Sequence, residues 1–436
     1  MTVRLLVVTH LFPPYGITGV ERVVEWTAEG LACRGAEVTV LTRRASAAPE
    51  VPRLEASRHR GIDVLTLVGG GIEFGVYPGR TARLEALFER VLIERNPDAV
   101  LFSHLMHHSP SYVGIAARWG VPAVIEFHDF FFACPLTHLE TPNRDPCAGP
   151  DGGEACASKC FAAQSHASMR WTTRARAFAA AARDASALIA PSQQVASYFT
   201  ALFRPPTLIH VVSNPVSIPV ARRAGPIRIP RADGVLRLAS VGSVVPHKGS
   251  DLIVDSLQIA RAGPLAWDFL GPVDPAYASQ LRERVQGLDC VDIRFYGPFA
   301  NRTLPALLAP VDAVAIASTV PESFSIAAHE AFACGKPVIA AAAGALLEVV
   351  RDGENGLLFE PRDPYGLARV LERLVFDDGL LERLTHGAAR TPVTTLDRRV
   401  DEVSAILADV VARGRRAAPP HEDAHLRAAQ RWLALI

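Results

Sequence analysis

The sequence predicts an α/β protein of two doubly wound, Rossmann-like domains facing across a cleft. Three observations carry the prediction. Short apolar runs alternate with helical periodicity through the first half, a proline- and arginine-rich segment interrupts, and the alternation then restarts. The length of 436 residues fits two or three domains. Hydrophobic residues at 49% and charged residues at 21% allow a large core, which excludes disorder as the main state.

In order, residues 4–9 read as a strand that ends in a loop at 10–18. Residues 20–34 place Val20, Val23, Val24, Thr27 and Leu31 on one side of a helix, and Gly35 stops it. The next strand is 37–42. Further strand-like runs are 63–68, 98–103, 123–127, 187–190 and 208–212, with helical stretches such as 80–95 and 111–119 between them. Strands that alternate with helices form a parallel sheet covered on both faces. The first domain is expected over 1–216, with a linker over 217–234. The second, 235–395, carries strands at 236–241, 267–270, 292–296, 313–317 and 337–341. Its helices are expected at 249–261, 277–286, 303–308, 325–334 and 364–375. Residues 396–436 read as a helical extension broken at Pro419-Pro420, its first part packing back on the first domain. Ligands of such folds sit where strand C-termini open.

Basic and acidic residues balance at 45 each, so the chain presents no polyanion-binding field and no nucleic-acid partner is expected. Only Lys159, Lys248 and Lys336 among the basic residues are lysines. No segment offers the roughly 18–20 continuous apolar residues of a spanning helix. The N-terminal apolar run is too short for a signal peptide, and a cytoplasmic location is expected, with peripheral contact to the inner face of the membrane left open. Arginines 170, 174, 176 and 183 on one helical stretch are a candidate docking face.

The strongest chemical signal is Glu322 and Glu330, with seven residues between them, in the stretch that opens Pro321-Glu322-Ser323-Phe324-Ser325, with Gly335-Lys336-Pro337-Val338-Ile339 following. The pattern is a loop feeding a helix and then a strand. Two helical glutamates at that spacing would lie about 12 Å apart along the axis. With Glu322 in the loop, both can line one pocket and grip opposite ends of an extended ligand. Backbone amides around Phe324, Ser325 and Ile326 open the helix and suit a phosphate.

This stretch resembles the glutamate–seven–glutamate motif of family 4 retaining glycosyltransferases of the GT-B fold. The resemblance extends to Gly344 with Glu348-Val349-Val350, to residues 352–359, and to Val241-Gly242-Ser243 with His247-Lys248-Gly249. Weaker matches are Phe12-Pro13-Pro14, Gly19-Val20-Glu21-Arg22, Glu126-Phe127-His128-Asp129 and Ala190-Pro191-Ser192. It implies a nucleotide-sugar donor held by the second domain and a glycan, lipid-linked glycan or natural-product acceptor held by the first. It further implies that Glu330 binds the donor ribose and that Glu322 lies near the transferred sugar. Lys248 would pair with the diphosphate, as a compact ammonium can neutralise a leaving group without a catalytic metal. Gly19 would approach the donor phosphates, and His128 would lie near the scissile bond. Ser243 stands where many relatives carry a second phosphate-binding arginine. That departure is the one support for an alternative, a non-catalytic sugar-binding relative. A Rossmann oxidoreductase would need Gly-x-Gly-x-x-Gly after the first strand, where Thr9-His10-Leu11-Phe12-Pro13-Pro14 stands instead. His104 has a weaker claim to a role than His128, and His107 and His108 are given none.

Four of the seven cysteines, Cys134, Cys147, Cys156 and Cys160, cluster in an insertion at about 133–161 that lacks periodicity. Twelve, eight and three residues intervene. Three readings stay open: a structural zinc site, free thiols or disulfides, and an iron–sulfur cluster. Cys33, Cys290 and Cys334 read as small core residues.

Overall fold

The computed structural model describes residues 2–16, 19–44, 51–69, 78–216 and 234–417. The expected linker lies almost wholly outside the described residues, as does the expected break at 419–420. The chain divides into two compact units at Ser213 and again at Thr395. The first boundary is three residues earlier than expected, because Val216 donates its N–H to the Thr394 carbonyl and joins the core of the second unit.

The first unit is a sheet of β1 (Arg4–Val8), β2 (Glu37–Arg44), β3 (Arg53–His59), β4 (Ile62–Val68), β5 (Ala99–Phe102), β6 (Ala123–Glu126), β7 (Ala187–Ala190) and β8 (Ile209–Val211). Its order is β3-β4-β2-β1-β5-β6-β7-β8, parallel except for the β3–β4 hairpin. Side chains alternate across it, as strand geometry requires. Leu6, Val8, Phe102 and Ile125 pack on one face, Leu5, Val7, Leu101 and Val124 on the other. Helices α1 (Gly19–Cys33), α2 (Pro78–Arg95), α3 (Tyr112–Arg118), α4 (Ala167–Asp184) and α5 (Gln193–Phe203) cover these faces.

The second unit orders β9 (Leu236–Val241), β10 (Leu265–Leu270), β11 (Val291–Phe295), β12 (Ala313–Ile316), β13 (Val338–Ala341) and β14 (Gly356–Phe359) as β11-β10-β9-β12-β13-β14, all parallel. Its helices are α6 (Ser250–Ile259), α7 (Pro275–Val285), α8 (Leu304–Leu308), α9 (Ile326–Ala333), α10 (Leu346–Val349), α11 (Pro364–Phe376) and α12 (Leu380–Arg390). Leu252, Leu281 and Leu371 cover one sheet face, and Leu304, Ala328 and Leu346 the other. The last helix, α13 (Leu396–Ala417), rejoins the first unit beside α1. There Val400 occupies the space left by Gly30, where any Cβ would strike it.

Two expectations are corrected. Cys33 and Cys290 are exposed, the first at the end of α1 and the second in the turn before β11, where the chain leaves the core. The arginines of α4 do not make one basic face. Arg174 is buried among Phe131 and Phe178 and donates to the carbonyls of Phe131 and Phe132, while Arg176 and Arg183 are exposed. Among the described residues no helix is long and apolar enough to cross a membrane.

Candidate functional site

In the second unit the strand order reverses between β9 and β12, and the loops after these two neighbours carry the predicted chemistry. After β9 the chain passes exposed Ser243, makes a short turn over Pro246–Lys248 and enters α6. Gly249, at φ 78°, packs so closely on the end of β12 that a Cβ would strike the Ala317 carbonyl. After β12 come Ser318, Glu322 and α9. Thr319 donates its N–H to the His247 carbonyl at 3.0 Å and so ties the two loops together.

Lys248 Nζ lies 2.6 Å from Glu322 Oε1. The ammonium side is 42% exposed and the carboxylate 9%, so the cation is presented outward on a buried anion. Ser318 donates its hydroxyl to the same Glu322 oxygen. Burial alone would push the Glu322 carboxyl up. Lys248 outweighs it, with Ser318 and His247 adding, and holds it below the usual carboxylate range. The Glu322 backbone is gripped from the loop after β13. Ala345 donates to its carbonyl at 2.8 Å, and Gly344, at φ 62°, leaves room where a side chain would strike it.

Phe324 is buried and stacks on His329 at 4.0 Å between centroids. His329 donates Nδ1–H to the Ser325 carbonyl at 3.0 Å. Ser325 turns the chain at φ 63° into α9, whose start at Ile326 has no side-chain cap. Glu330 is buried on the same helix. Lys248, Glu322, Phe324, Ser325, Ile326 and Glu330 therefore gather on two adjacent loops and the helix they feed, with Ser243 at the start of the first loop. Sequence reasoning missed Ser318 and Arg362. Arg362 donates Nε to the Thr319 carbonyl at 3.1 Å, so an arginine from beyond β14 does reach the Glu322 loop.

In the first unit the order reverses between β1 and β5. Gly19 is exposed at the start of α1. His128 follows β6, is 5% exposed, and has Nε2 3.3 Å from Glu126 Oε2. Glu126 also accepts from Ser103 Oγ at 2.7 Å and from Arg399 Nη2 at 2.6 Å. Burial alone would raise its carboxyl, yet Arg399 and then His128 and Ser103 bring it to about 2. Beside this network the His10 and His104 rings lie 4.2 Å apart. His104 accepts the Met106 N–H at Nδ1, so Nε2 carries the proton toward Asp129, 3.2 Å away. His10 Nε2 lies 3.0 Å from Glu21 Oε1. The pairings of His10 and Glu21 were not foreseen, since they join the first loop to α1 across residues of no shared motif.

Next to them, His108 donates Nε2–H to the Thr9 carbonyl at 2.9 Å, and Arg43 donates to the His107 carbonyl at 2.6 Å. Burial, with Arg43 adding, pushes the His107 imidazole down to about 4 and the His108 imidazole down to about 3. Unfolded histidines take a proton near pH 6.5. Below that the unfolded chain binds more protons than the folded one, so stability falls with pH, by up to about 1.4 kcal/mol per unit for each histidine. The urea midpoint should therefore drop between about pH 7 and about pH 5, and His108→Gln should flatten the slope. An unchanged slope would show that His108 protonates without unfolding.

These observations define a class: a protein of two parallel α/β units, the second with a lysine–glutamate pair at its topological switch point. Residues 18–215 match the family described as Glycosyl transferase 4-like domain, and residues 228–391 match Glycosyl transferases group 1. The chain belongs to glycosyltransferase family 4, has the GT-B fold, and is an enzyme that transfers sugar. A D-inositol 3-phosphate glycosyltransferase of Thermomonospora curvata is 28% identical over 88% of this chain and 92% of its own. The like-named protein of Salinispora arenicola is 35% identical over 40% of this chain and 41% of its own. Among solved structures, Anabaena Alr3699/HepE in complex with UDP and glucose superposes with a TM-score of 0.62 at 20% identity, over 92% of this chain and 99% of that one. WaaG, a glycosyltransferase involved in lipopolysaccharide biosynthesis, does so at 0.61 and 17%, over 92% and 99%.

Proposed function

We propose that the chain is a retaining glycosyltransferase that moves a sugar from a nucleotide-sugar donor, bound by the second unit, to a hydroxyl of a glycan, lipid-linked glycan or natural product bound by the first. The single observation that carries the reading is the Lys248–Glu322 pair at the β9/β12 switch point. Lys248 neutralises the leaving diphosphate, and on its departure from Glu322 toward the donor it frees that carboxylate to face the transferred sugar. Glu330 accepts hydrogen bonds from the ribose hydroxyls. The opening turn of α9 at Phe324, Ser325 and Ile326 faces the phosphates, as does Ser243. His128, held by Glu126, serves the sugar at the reacting bond. The complex of the Anabaena neighbour with UDP-glucose supports this assignment of a nucleotide-sugar donor, and the naming of the curated relatives as glycosyltransferases supports sugar transfer. A lipid-borne acceptor would be met at the inner membrane face, and among the described residues no helix is long and apolar enough to cross that membrane.

No enzyme nucleophile is placed among these residues, which fits front-face departure and attack on one side of the sugar. The product linkage, read by NMR from a donor of known anomeric form, should retain that form. An inverted product would refute the mechanism, and donor that is bound but never turned over with any acceptor extract would favour the non-catalytic alternative.

A further inference from the structure

We propose that Cys134, Cys147, Cys156 and Cys160 form a four-thiolate site for a thiophilic metal centre that orders residues 133–161 of the first unit. None of the four is in a disulfide. The fold gathers them although 26 positions separate the first from the last by number: each sulfur lies within electrostatic reach of the other three. Tyr198, from α5, is within reach of Cys134, Cys147 and Cys156, so a separate element closes over the same point.

The local backbone is shaped for sulfur. Cys134 is buried and its Sγ accepts the N–H groups of Leu136 and Leu139, a turn that cradles a thiolate. Cys147 follows a short bridge between Glu140 and Pro146, and its N–H bonds the Leu139 carbonyl at 2.9 Å. Cys156 and Cys160 open and close one π-helical turn. Buried Arg174 faces Cys134 and Cys156 and offsets the negative charge that four thiolates would leave on a divalent ion.

The segment is held in a conformation its own residues do not favour. Thr137, Leu139, Arg144 and Asp151 all have positive φ, which surroundings must over-determine. Between Cys147 and Cys160 only one three-residue turn precedes the π turn, and the small cluster beneath contains Cys156, Ala157 and Trp171. A cross-link through the sulfurs supplies what packing does not. Binding would displace each thiol proton to solvent as its sulfur–metal bond forms.

Among the described residues no three of these sulfurs lie within 4.8 Å of one another. A zinc ion, with Zn–S of about 2.3 Å and sulfurs about 3.8 Å apart, would draw them together by side-chain rotation. An iron–sulfur cluster holds its sulfurs wider. The full chain, purified without chelators under anaerobic, reducing conditions, separates the two by elemental analysis and visible absorption. Colourless protein with about one zinc per chain, or coloured protein with iron and inorganic sulfide, supports the site. Cys156→Ser should lose the metal and expose residues 141–160 to protease, whereas Cys33→Ser, at an exposed position outside the cluster, should keep both properties of the wild type. Should Cys156→Ser fail to fold, the metal content of the wild type still decides. Metal-free wild-type protein with a protease-resistant segment overturns the proposal, as does recovery of the four sulfurs as two disulfides after alkylation at harvest.

Discussion

Replacement of Lys248 by alanine is expected to lower sugar transfer by about 100-fold or more, the usual consequence of removing one preorganised charge from a developing anion. Two effects combine. The ammonium that meets the diphosphate is gone, and Glu322, 8% exposed, keeps only the Ser318 hydroxyl and the more distant His247 to hold its charge. Its carboxyl should then rise, because burial is the cause that Lys248 had outweighed. The two effects separate by ligand. Calorimetry should show weaker binding of the nucleoside diphosphate and unchanged binding of the nucleoside, whose base and ribose contacts lie elsewhere. Turnover like that of the wild type would remove Lys248 from the reaction. Equal losses for nucleoside and diphosphate would show instead that the loops after β9 and β12 had collapsed together.

Much of the second unit is legible in sequence because its strands are continuous apolar runs bounded by turns, as a sheet buried on both faces requires. Lys248 and Glu322 stand out singly, one as a rare lysine and the other in a loop before a helix. Their direct contact does not, since it joins positions 74 apart and depends on which strands are neighbours. Strand β3 escapes notice for the opposite reason. It is an edge strand whose side chains, Arg53, Glu55, Ser57 and Arg58 among them, are largely exposed, so it shows no apolar alternation. Strand β14 is only four residues long, and β-pairing with β13 rather than its own pattern defines it.

Buried arginines are the instructive misses. In a chain so rich in arginine, Arg174 and Arg399 look like surface residues. Each, however, occupies the apolar stripe of its helix. Arg174 lies between Trp171 and Phe178 at intervals of three and four, and Arg399 between Leu396 and Val403 at the same intervals. A charge at such a position signals a partner in the core. The sequence cannot say which, because the partner comes from a distant strand.

For Arg399 that partner makes the second large prediction. The side chain is 1% exposed and reaches from α13 to three elements of the first unit: Glu126 Oε1 at the end of β6 at 2.6 Å, Thr27 Oγ1 on α1 at 3.0 Å and the Val212 carbonyl at 3.2 Å. Arg399→Met would leave Glu126, 2% exposed, as a buried carboxylate facing only His128 and Ser103. Breaking a buried pair in this way typically costs about 3–5 kcal/mol, because the remaining charge is neither solvated nor neutralised. Urea unfolding should show a loss of that size for the single variant. Adding Glu126→Gln should restore much of it, since removal of both charges removes the desolvation cost that the pair existed to offset. Acid should tell the same story with a definite sign. The depressed Glu126 carboxyl contributes stability above the usual carboxylate range that is lost as pH falls toward about 2. The double variant should lack that acid-sensitive component. Because Glu126 also faces His128, the double variant separates folding from chemistry. Restored stability with sugar transfer still impaired would assign Glu126 to the positioning of His128, whereas full recovery of transfer would confine the buried pair to holding α13 against the sheet. An Arg399→Met protein as stable as the wild type would sink the argument that this return helix is locked to the first unit through its buried charge.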